Sequence, residues 1–208
     1  MLLTTGQAAA ELGMAITTFR RLVHAHLIPG LTNRGVRVMV PLEAVQALSS
    51  RHPAPLPSLE APEIAVLRVE ADRRAREGNA GNAGNAEPAG FSAVLQAGEI
   101  QEAMRGWWRC DARSVAAGGV LPVTVSGYVV AVLTGLGRWE SNGRGRHAFP
   151  DAVLAGYVTD LVQPVVHLTA PSAADRSTAE LLLGSRLSSH SGGPIAYVST
   201  RNFDREGS

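Results

Sequence analysis

The chain contains no lysine, so all 19 of its fixed cationic side chains are arginines. An arginine presents a rigid, planar set of N–H donors that matches phosphates and the edge of guanine. A single cysteine, Cys110, excludes an internal disulfide. Neither a cationic apolar leader nor an apolar run of membrane length is found. We therefore expect a cytoplasmic protein that has no membrane partner.

The common catalytic and metal-binding patterns are also missing. The nearest acid–base or metal pairs are His147 with Asp151 and His167 with Asp160. Neither pair has the spacing that makes a metal site specific, and no glycine-rich phosphate loop is found. The segment 190–193 predicts a turn rather than a nucleophile elbow. We therefore predict a protein that is not an enzyme and that holds neither a cofactor nor a metal.

What the chain does contain is an ordinary globular composition with an uneven charge distribution. It has 208 residues, of which 45% are hydrophobic and 18% charged, with a net charge of +1. Residues 1–51 carry five arginines against two acids, a balance of +3, whereas residues 52–90 carry four arginines against six acids, a balance of −2. The remainder is neutral. The positive excess therefore lies at the start, as a nucleic-acid-binding segment requires.

Residues 1–51 predict two short helices joined by a tight turn. Thr5 is the candidate N-cap of the first helix, and Gly13 is its candidate end. A second helix is expected from about Ile16 to about Ala25, because apolar residues recur there at helical spacing. Its buried stripe comprises Phe19, Leu22 and Val23. Its other faces carry Thr17, Thr18, Arg20 and Arg21.

A small basic hairpin and a third helix are expected next. Asn33-Arg34-Gly35 predicts a turn, and the chain then returns as a strand in which Arg37 points away from the valines. Pro41 fits the first position of the third helix. These elements describe a helix-turn-helix with a wing, and hence DNA binding by the second helix together with Arg34 and Arg37.

The features of this segment follow one another in a fixed order: Leu-Thr, a helix, a turn, a helix with Thr-x-x-Arg, Leu-Ile-Pro, a basic glycine-centred wing and a closing helix. This order resembles that of the winged helix of the MerR superfamily. It is most similar to the excisionase-like and developmental-regulator members, and the resemblance covers about residues 2–50. It implies that the second helix enters the major groove and that the wing contacts the backbone or minor groove. The chain differs from the family pattern at Leu22, where a tryptophan is usual, and at Val38 and Met39, where an aromatic residue is usual.

Residues 52–90 predict a connection between two domains. The four prolines of 52–62 favour an extended spacer. The segment Glu63–Glu77 predicts a helix with Ile64, Leu67 and Ala71 on one face, which either packs on its own protein or forms a dimer. Three copies of Gly-Asn-Ala over 78–86 indicate a flexible linker extending to residue 90.

Residues 91–203 predict a small α+β domain with a curved antiparallel sheet, followed by a polar tail over 204–208. Ser92 is the candidate N-cap of a helix that ends near Gly106, and Asp111 begins a short helical turn. The strongest strand pattern is a valine-rich hairpin around Ser126-Gly127. A further helix is expected over 173–187, and further strands are expected near 147–149, over 165–169 and over 195–199.

Aromatic and arginine side chains recur in this second domain. They are Trp108, Arg109, Trp139, Arg144, Arg146 and Phe149. Such a combination stacks planar rings and binds phosphate, so it predicts a contact with a ligand or a nucleic acid. The alternative is that the tryptophans belong to the core and that Arg144 and Arg146 lie in a solvated loop.

The combined prediction is an α+β, sequence-specific transcriptional regulator that binds double-stranded DNA at the nucleoid. One module of this size contacts few base pairs, so we expect a homo-oligomer, most simply a dimer. The second domain is expected to supply pairing, or to bind a small molecule or a protein. The alternatives are an excisionase-like accessory factor of a mobile element, a defence or nucleic-acid-processing effector with the winged helix as adaptor, and a winged helix that binds protein.

Overall fold

The first fifty residues fold as three short strands and three helices in a computed structural model that describes residues 1–71, 90–190 and 192–201. The elements are β1 (Leu2–Thr4), α1 (Thr5–Glu11), α2 (Ile16–His24), β2 (Thr32–Arg34), β3 (Arg37–Pro41) and α3 (Leu42–Ser49). The three strands pair antiparallel in the order β1-β3-β2. The predicted succession of helix, turn, helix, hairpin and helix is therefore found.

Two helix starts in this segment differ by one position from the prediction. The hydroxyl of Thr4, rather than Thr5, accepts a bond from the Gln7 backbone N–H at 3.3 Å, and the Gln7 side chain accepts one from the Thr4 N–H at 2.9 Å. This reciprocal pair satisfies two N–H groups that a helix start leaves without a partner. Pro41 is the N-cap of α3 rather than its first helical residue.

A six-stranded sheet forms the centre of the molecule. Its strands are β4 (Glu63–Arg68), β6 (Leu121–Val125), β7 (Tyr128–Thr134), β10 (Val153–Asp160), β11 (Val165–Leu168) and β12 (Ile195–Ser199). They lie in the order β11-β10-β7-β6-β4-β12. The β4–β6 pair is parallel and the others are antiparallel, so the sheet is mixed and the expectation of a wholly antiparallel sheet is wrong.

The helix predicted to begin at Glu63 is wrong, because Glu63–Arg68 is the strand β4. The four residues from Ile64 to Leu67 are all fully buried between β6 and β12. A strand that is covered on both faces is a continuous apolar run, which periodicity alone does not distinguish from a buried helix. Residues 72–77, the Gly-Asn-Ala repeats and the tail over 204–208 lie outside the described residues.

Strand β10 was missed because Gly156 interrupts its apolar pattern. A Cβ at this position would lie 2.9 Å from the His167 carbonyl oxygen on β11. A glycine inside a strand often marks such a close approach of two backbones. The hairpin turn, by contrast, was predicted correctly: Ser126 (φ 54°) and Gly127 (φ 82°) form the two-residue connection between β6 and β7.

Among the described residues, three helices pack on this sheet: α4 (Ala97–Met104) on β10, α5 (Ala112–Gly118) on β4, and α6 (Ala173–Leu182) on β7, β10 and β11. Asp111 caps α5 as predicted. Gln96 and Glu99 form the capping box of α4, so the expectation that Ser92 caps it is wrong. Helix α6 ends at Leu182, five residues earlier than predicted, since Leu183 is extended and Gly184 has a positive φ.

The N-terminal segment is docked on the large sheet rather than placed independently of it. The Leu161 N–H donates to the Leu27 carbonyl at 3.0 Å, and the buried Tyr128 hydroxyl donates to the Leu48 carbonyl at 3.2 Å. One hydrophobic cluster runs through both parts. A flexible linker would not fix their orientation, but shared burial of apolar side chains does.

The proline-rich spacer is also attached to the sheet. It is extended apart from a 3-10 turn at Leu56–Ser58. The Arg186 backbone donates to the His52 carbonyl and accepts from the Ala54 N–H, both at 2.8 Å. Proline therefore prevents regular helix here as predicted, but the segment is ordered by its pairing partner.

Candidate nucleic-acid interface

One side of α2 faces solvent with polar residues. The helix buries Phe19 and Leu22 at helical spacing, which leaves Thr17 and Arg20 exposed on the opposite side. Within the described residues, Arg20 forms no ion pair with an acidic side chain. Thr17 and Arg20 are therefore accessible to a ligand that approaches the helix from solvent.

The other two predicted contact residues of α2, Thr18 and Arg21, are bonded to groups from the large sheet. The Ser126 hydroxyl, at the tip of the β6–β7 hairpin, donates to the Thr18 carbonyl at 2.7 Å. The Arg21 Nε lies 2.7 Å from the Glu70 Oε2, with 43% and 66% of the two side chains exposed. Thr18 and Arg21 are thus held at the junction with the sheet, because the hairpin tip and the end of β4 approach this edge of the helix.

The β2–β3 hairpin projects the other two predicted arginines. Arg34 and Arg37 are directly opposite each other where the strands meet, and Gly35 has the positive φ of 62° that the tight turn requires. Val36, at the tip, is fully exposed. An exposed apolar residue flanked by two exposed arginines has no packing role in this chain, so the tip is suited to contact another molecule.

A second arginine-rich surface lies on a small three-stranded sheet. Its strands are β5 (Trp108–Arg109), β8 (Glu140–Ser141) and β9 (Arg146–Ala148), in the order β5-β9-β8. Arg109, Arg144 and Arg146 are exposed, and 37% of Trp139 is exposed.

Trp108 and Phe149 do not belong to this surface, so including them in the predicted ligand contact is wrong. Both are buried, and the Trp108 Nε1 donates to the Met104 carbonyl at 2.9 Å. Their apolar rings pack in the core, and the indole N–H has an internal acceptor. The residue that the prediction missed is Trp107, 41% of which is exposed. The tryptophan doublet could have identified it, because neighbouring positions at a strand point to opposite faces.

A cleft of about 500 Å³ separates α2 from the large sheet. Its lining includes Arg21 of α2, Glu70 and Ser126 of the large sheet, and residues 188–190 with Gly193 and Pro194. The Arg68 Nη2 donates to the Gly193 carbonyl at 2.7 Å. This arginine therefore anchors Gly193 in the lining of the cleft.

Two of the groups considered for acid–base chemistry, Asp160 and His167, have structural roles. The Asp160 carboxylate accepts bonds from the backbone N–H groups of Val162 and Gln163, while the His167 ring stacks on Tyr157 at a centroid distance of 4.7 Å. Burial, reinforced by the neighbouring Asp111 carboxylate, raises the pKa of the Cys110 thiol to about 11. A thiol with that pKa is almost entirely protonated at neutral pH and is a poor nucleophile.

Over the described ranges, no three His, Cys, Asp or Glu side chains converge as a metal site would require. In the same part of the chain, no helix combines the length and apolar character needed to cross a membrane. Comparison of the chain with protein-family models, with curated proteins and with solved structures finds no match. The functional assignment therefore rests on the chemistry of the surfaces described above.

Proposed function

We propose that this chain is a sequence-specific, double-stranded-DNA-binding regulator in which residues 1–51 act as a winged helix-turn-helix of the MerR type. Helix α2 enters the major groove, and the β2–β3 hairpin is the wing. The protein acts in the cytoplasm at the nucleoid, binds DNA without chemistry of its own, and has no cofactor. The observation that carries the proposal is the exposed set Thr17, Arg20, Arg34 and Arg37 on one small, positively charged module.

The charge and exposure of these residues support a duplex as the ligand. Arginines without acidic partners neutralise phosphates and release counterions, and this term dominates affinity for DNA. A helix that presents Thr17 and Arg20 to solvent can reach base edges in the major groove, where arginine pairs with guanine. Arg34 and Arg37 are spaced by a two-residue turn, which suits contacts to successive phosphates or insertion into the minor groove.

Arg21 can pair either with Glu70 or with DNA. Its side chain is 43% exposed on a helix that we place in the major groove, but Glu70 pairs with it in the free protein. A duplex that draws Arg21 away must overcome an ion pair that is partly screened by solvent. The pair therefore reduces affinity slightly and does not prevent binding.

Useful specificity requires two copies of the module on repeated half-sites, since a single module contacts few base pairs. We propose a homodimer on DNA, with the second domain supplying the pairing or taking a small-molecule or protein partner.

The test begins with selection of preferred duplexes from a random library by the full chain, followed by anisotropy titrations at several salt concentrations. Arg20→Ala is expected to weaken binding to the selected duplex by roughly 1–3 kcal/mol and to relax specificity at one base-pair position. Arg37→Ala is expected to weaken binding to all duplexes and to reduce the slope of log affinity against log salt concentration by about one unit. Arg201→Ala removes the same charge from an exposed residue outside the module and is the matched control.

Equal binding by wild type, Arg20→Ala and Arg37→Ala would reject the assignment of both elements. A selection that yields no enriched sequence, with a uniform shift of all duplexes, would reject sequence-specific recognition.

A further inference from the structure

The small sheet places a tryptophan and two arginines on one outward face. Trp108 and His147 are opposite each other and turn inward, whereas the next pair, Arg109 and Arg146, turns outward. Trp107, on the other side of Trp108, shares that outward direction, and its carbonyl accepts a bond from the Arg146 Nη1 at 3.2 Å. We call Trp107, Arg109 and Arg146 the Trp107 face.

The two arginines of this face are in an arrangement that is unfavourable without a ligand. Directly opposite residues of an antiparallel pair have Cβ atoms about 5 Å apart, and like charges at that distance repel. In the described part of the chain, no acidic side chain forms an ion pair with either arginine, and Glu140 on β8 lies 3.8 Å from Arg138 instead. A phosphate between the two guanidinium groups would replace repulsion with two charge-assisted contacts.

The tryptophan adds an aromatic surface beside this anion site. With 41% of Trp107 exposed, its indole ring can receive a planar ring from solvent. The residue opposite the position of Trp107 on β9 is Ala148, whose small side chain does not cover the indole. Stacking on aromatic residues beside a cationic track is how proteins bind the bases of a single strand, which are unpaired and have free faces.

We propose that the Trp107 face binds single-stranded nucleic acid, with Arg109 and Arg146 on a backbone phosphate and Trp107 stacked on an adjacent base. This site is separate from the duplex-binding module and does not depend on the function proposed for it. The bond from Arg146 to the Trp107 carbonyl fixes the guanidinium beside the backbone of Trp107, so the cation and the aromatic residue are held close together for neighbouring parts of one nucleotide.

The test uses the full chain and an oligothymidylate of about 12 nucleotides, a length within the site sizes of single-strand binders. Binding is expected to quench tryptophan fluorescence. Trp107→Ala is expected to weaken it about tenfold, and Trp107→Phe, which keeps a smaller stacking ring, by less. Arg109→Ala with Arg146→Ala is expected to lower the salt slope by about 0.7 unit, since the two arginines share one phosphate and each neutralised phosphate of a single strand contributes about 0.7.

A stability readout distinguishes a ligand site from a structural one. Arg109→Ala removes like-charge repulsion, so it is expected to leave the melting temperature unchanged or to raise it while weakening binding. Arg37→Ala removes one positive charge from the duplex-binding module and is expected to change oligothymidylate affinity less than twofold. Retention of oligothymidylate binding when a selected duplex is saturating would show that the two sites are distinct.

Three outcomes would overturn the proposal. The first is wild-type oligothymidylate affinity in both Trp107→Ala and the double arginine variant. The second is a loss in Arg37→Ala equal to the loss in the double arginine variant, which would place the single strand on the first module. The third is a preference of the Trp107 face for duplex over single strand, measured by a larger effect of Trp107→Ala on duplex affinity.

Discussion

The ion pair between Arg21 and Glu70 allows a quantitative test of how the docked sheet affects DNA binding. The perturbation is Glu70→Gln, which keeps the size of the side chain but removes its charge. The Arg21 Nε and the Glu70 Oε2 lie 2.7 Å apart, and 43% of the Arg21 side chain and 66% of the Glu70 side chain are exposed. Pairs that are this exposed contribute about 0.2–1 kcal/mol. Loss of the pair should therefore lower the melting temperature by no more than about 4 °C in a chain of this size.

The same change should strengthen binding to duplex DNA. Freeing Arg21 removes the cost of breaking its pair, and about 0.2–1 kcal/mol corresponds to about 1.4-fold to 5-fold tighter binding. Removal of a negative charge beside the DNA acts in the same direction. The assay is anisotropy on a selected duplex at fixed salt, with Glu60→Gln as a control that removes an equal, exposed charge outside the pair.

A double-mutant cycle with Arg21→Ala separates the pair from the net charge. If Arg21 reaches DNA only after leaving Glu70, the gain from Glu70→Gln should disappear in the Arg21→Ala background. Weaker duplex binding by Glu70→Gln, or a gain equal to that of Glu60→Gln, would refute the reasoning. Arg21 would then have only a structural role at the junction.

Three further predictions concern the fold and the single thiol. Gly156→Ala should destabilise the chain by about 1–3 kcal/mol in denaturant titrations, because the new Cβ would lie 2.9 Å from a carbonyl oxygen, whereas Gly98→Ala, with open space around it in α4, should be neutral or stabilising by up to about 1 kcal/mol. Tyr128→Phe should cost about 0.5–1.5 kcal/mol by removing one of the two donors to the Leu48 carbonyl, which also accepts from the Arg51 backbone N–H at 3.3 Å, and should lower the stability of both parts together because they share one core. Separate transitions for the two parts would contradict the shared core. Cys110, with its pKa raised to about 11, should react with a thiol reagent at pH 8 about a hundredfold more slowly than an exposed cysteine, and rapid labelling of the native chain would contradict its burial.

Short stretches of sequence correctly predict the elements that depend only on neighbouring residues. Helix α2 followed from the spacing of Phe19 and Leu22, and the β6–β7 connection followed from Ser126-Gly127 between two valine-rich runs. The exposed hairpin arginines also followed, since a tight glycine turn leaves its flanking side chains in solvent. These features depend on residues within a few positions of one another.

Errors arose where distant segments meet. The local pattern of β4 wrongly predicts a helix because β6 and β12, which bury the strand on both faces, are far away in the sequence. Strand β10 was missed because the glycine in it is explained only by the backbone of β11. The predicted ligand contact names the wrong tryptophan for the same reason. Trp108 packs inward and Trp107 points outward, and this difference depends on pairing with β9.

The sequence by itself determined an all-arginine cation set, a positive first module and the helix, turn, helix and hairpin order within it, because charge, helical spacing and turn chemistry are properties of short stretches. Only the tertiary structure decided that this module docks on a mixed sheet, that Glu70 and Ser126 hold one edge of α2, and that two arginines oppose each other beside Trp107. Those contacts join residues that are tens of positions apart, and burial and strand pairing bring them together without a signal in the local pattern.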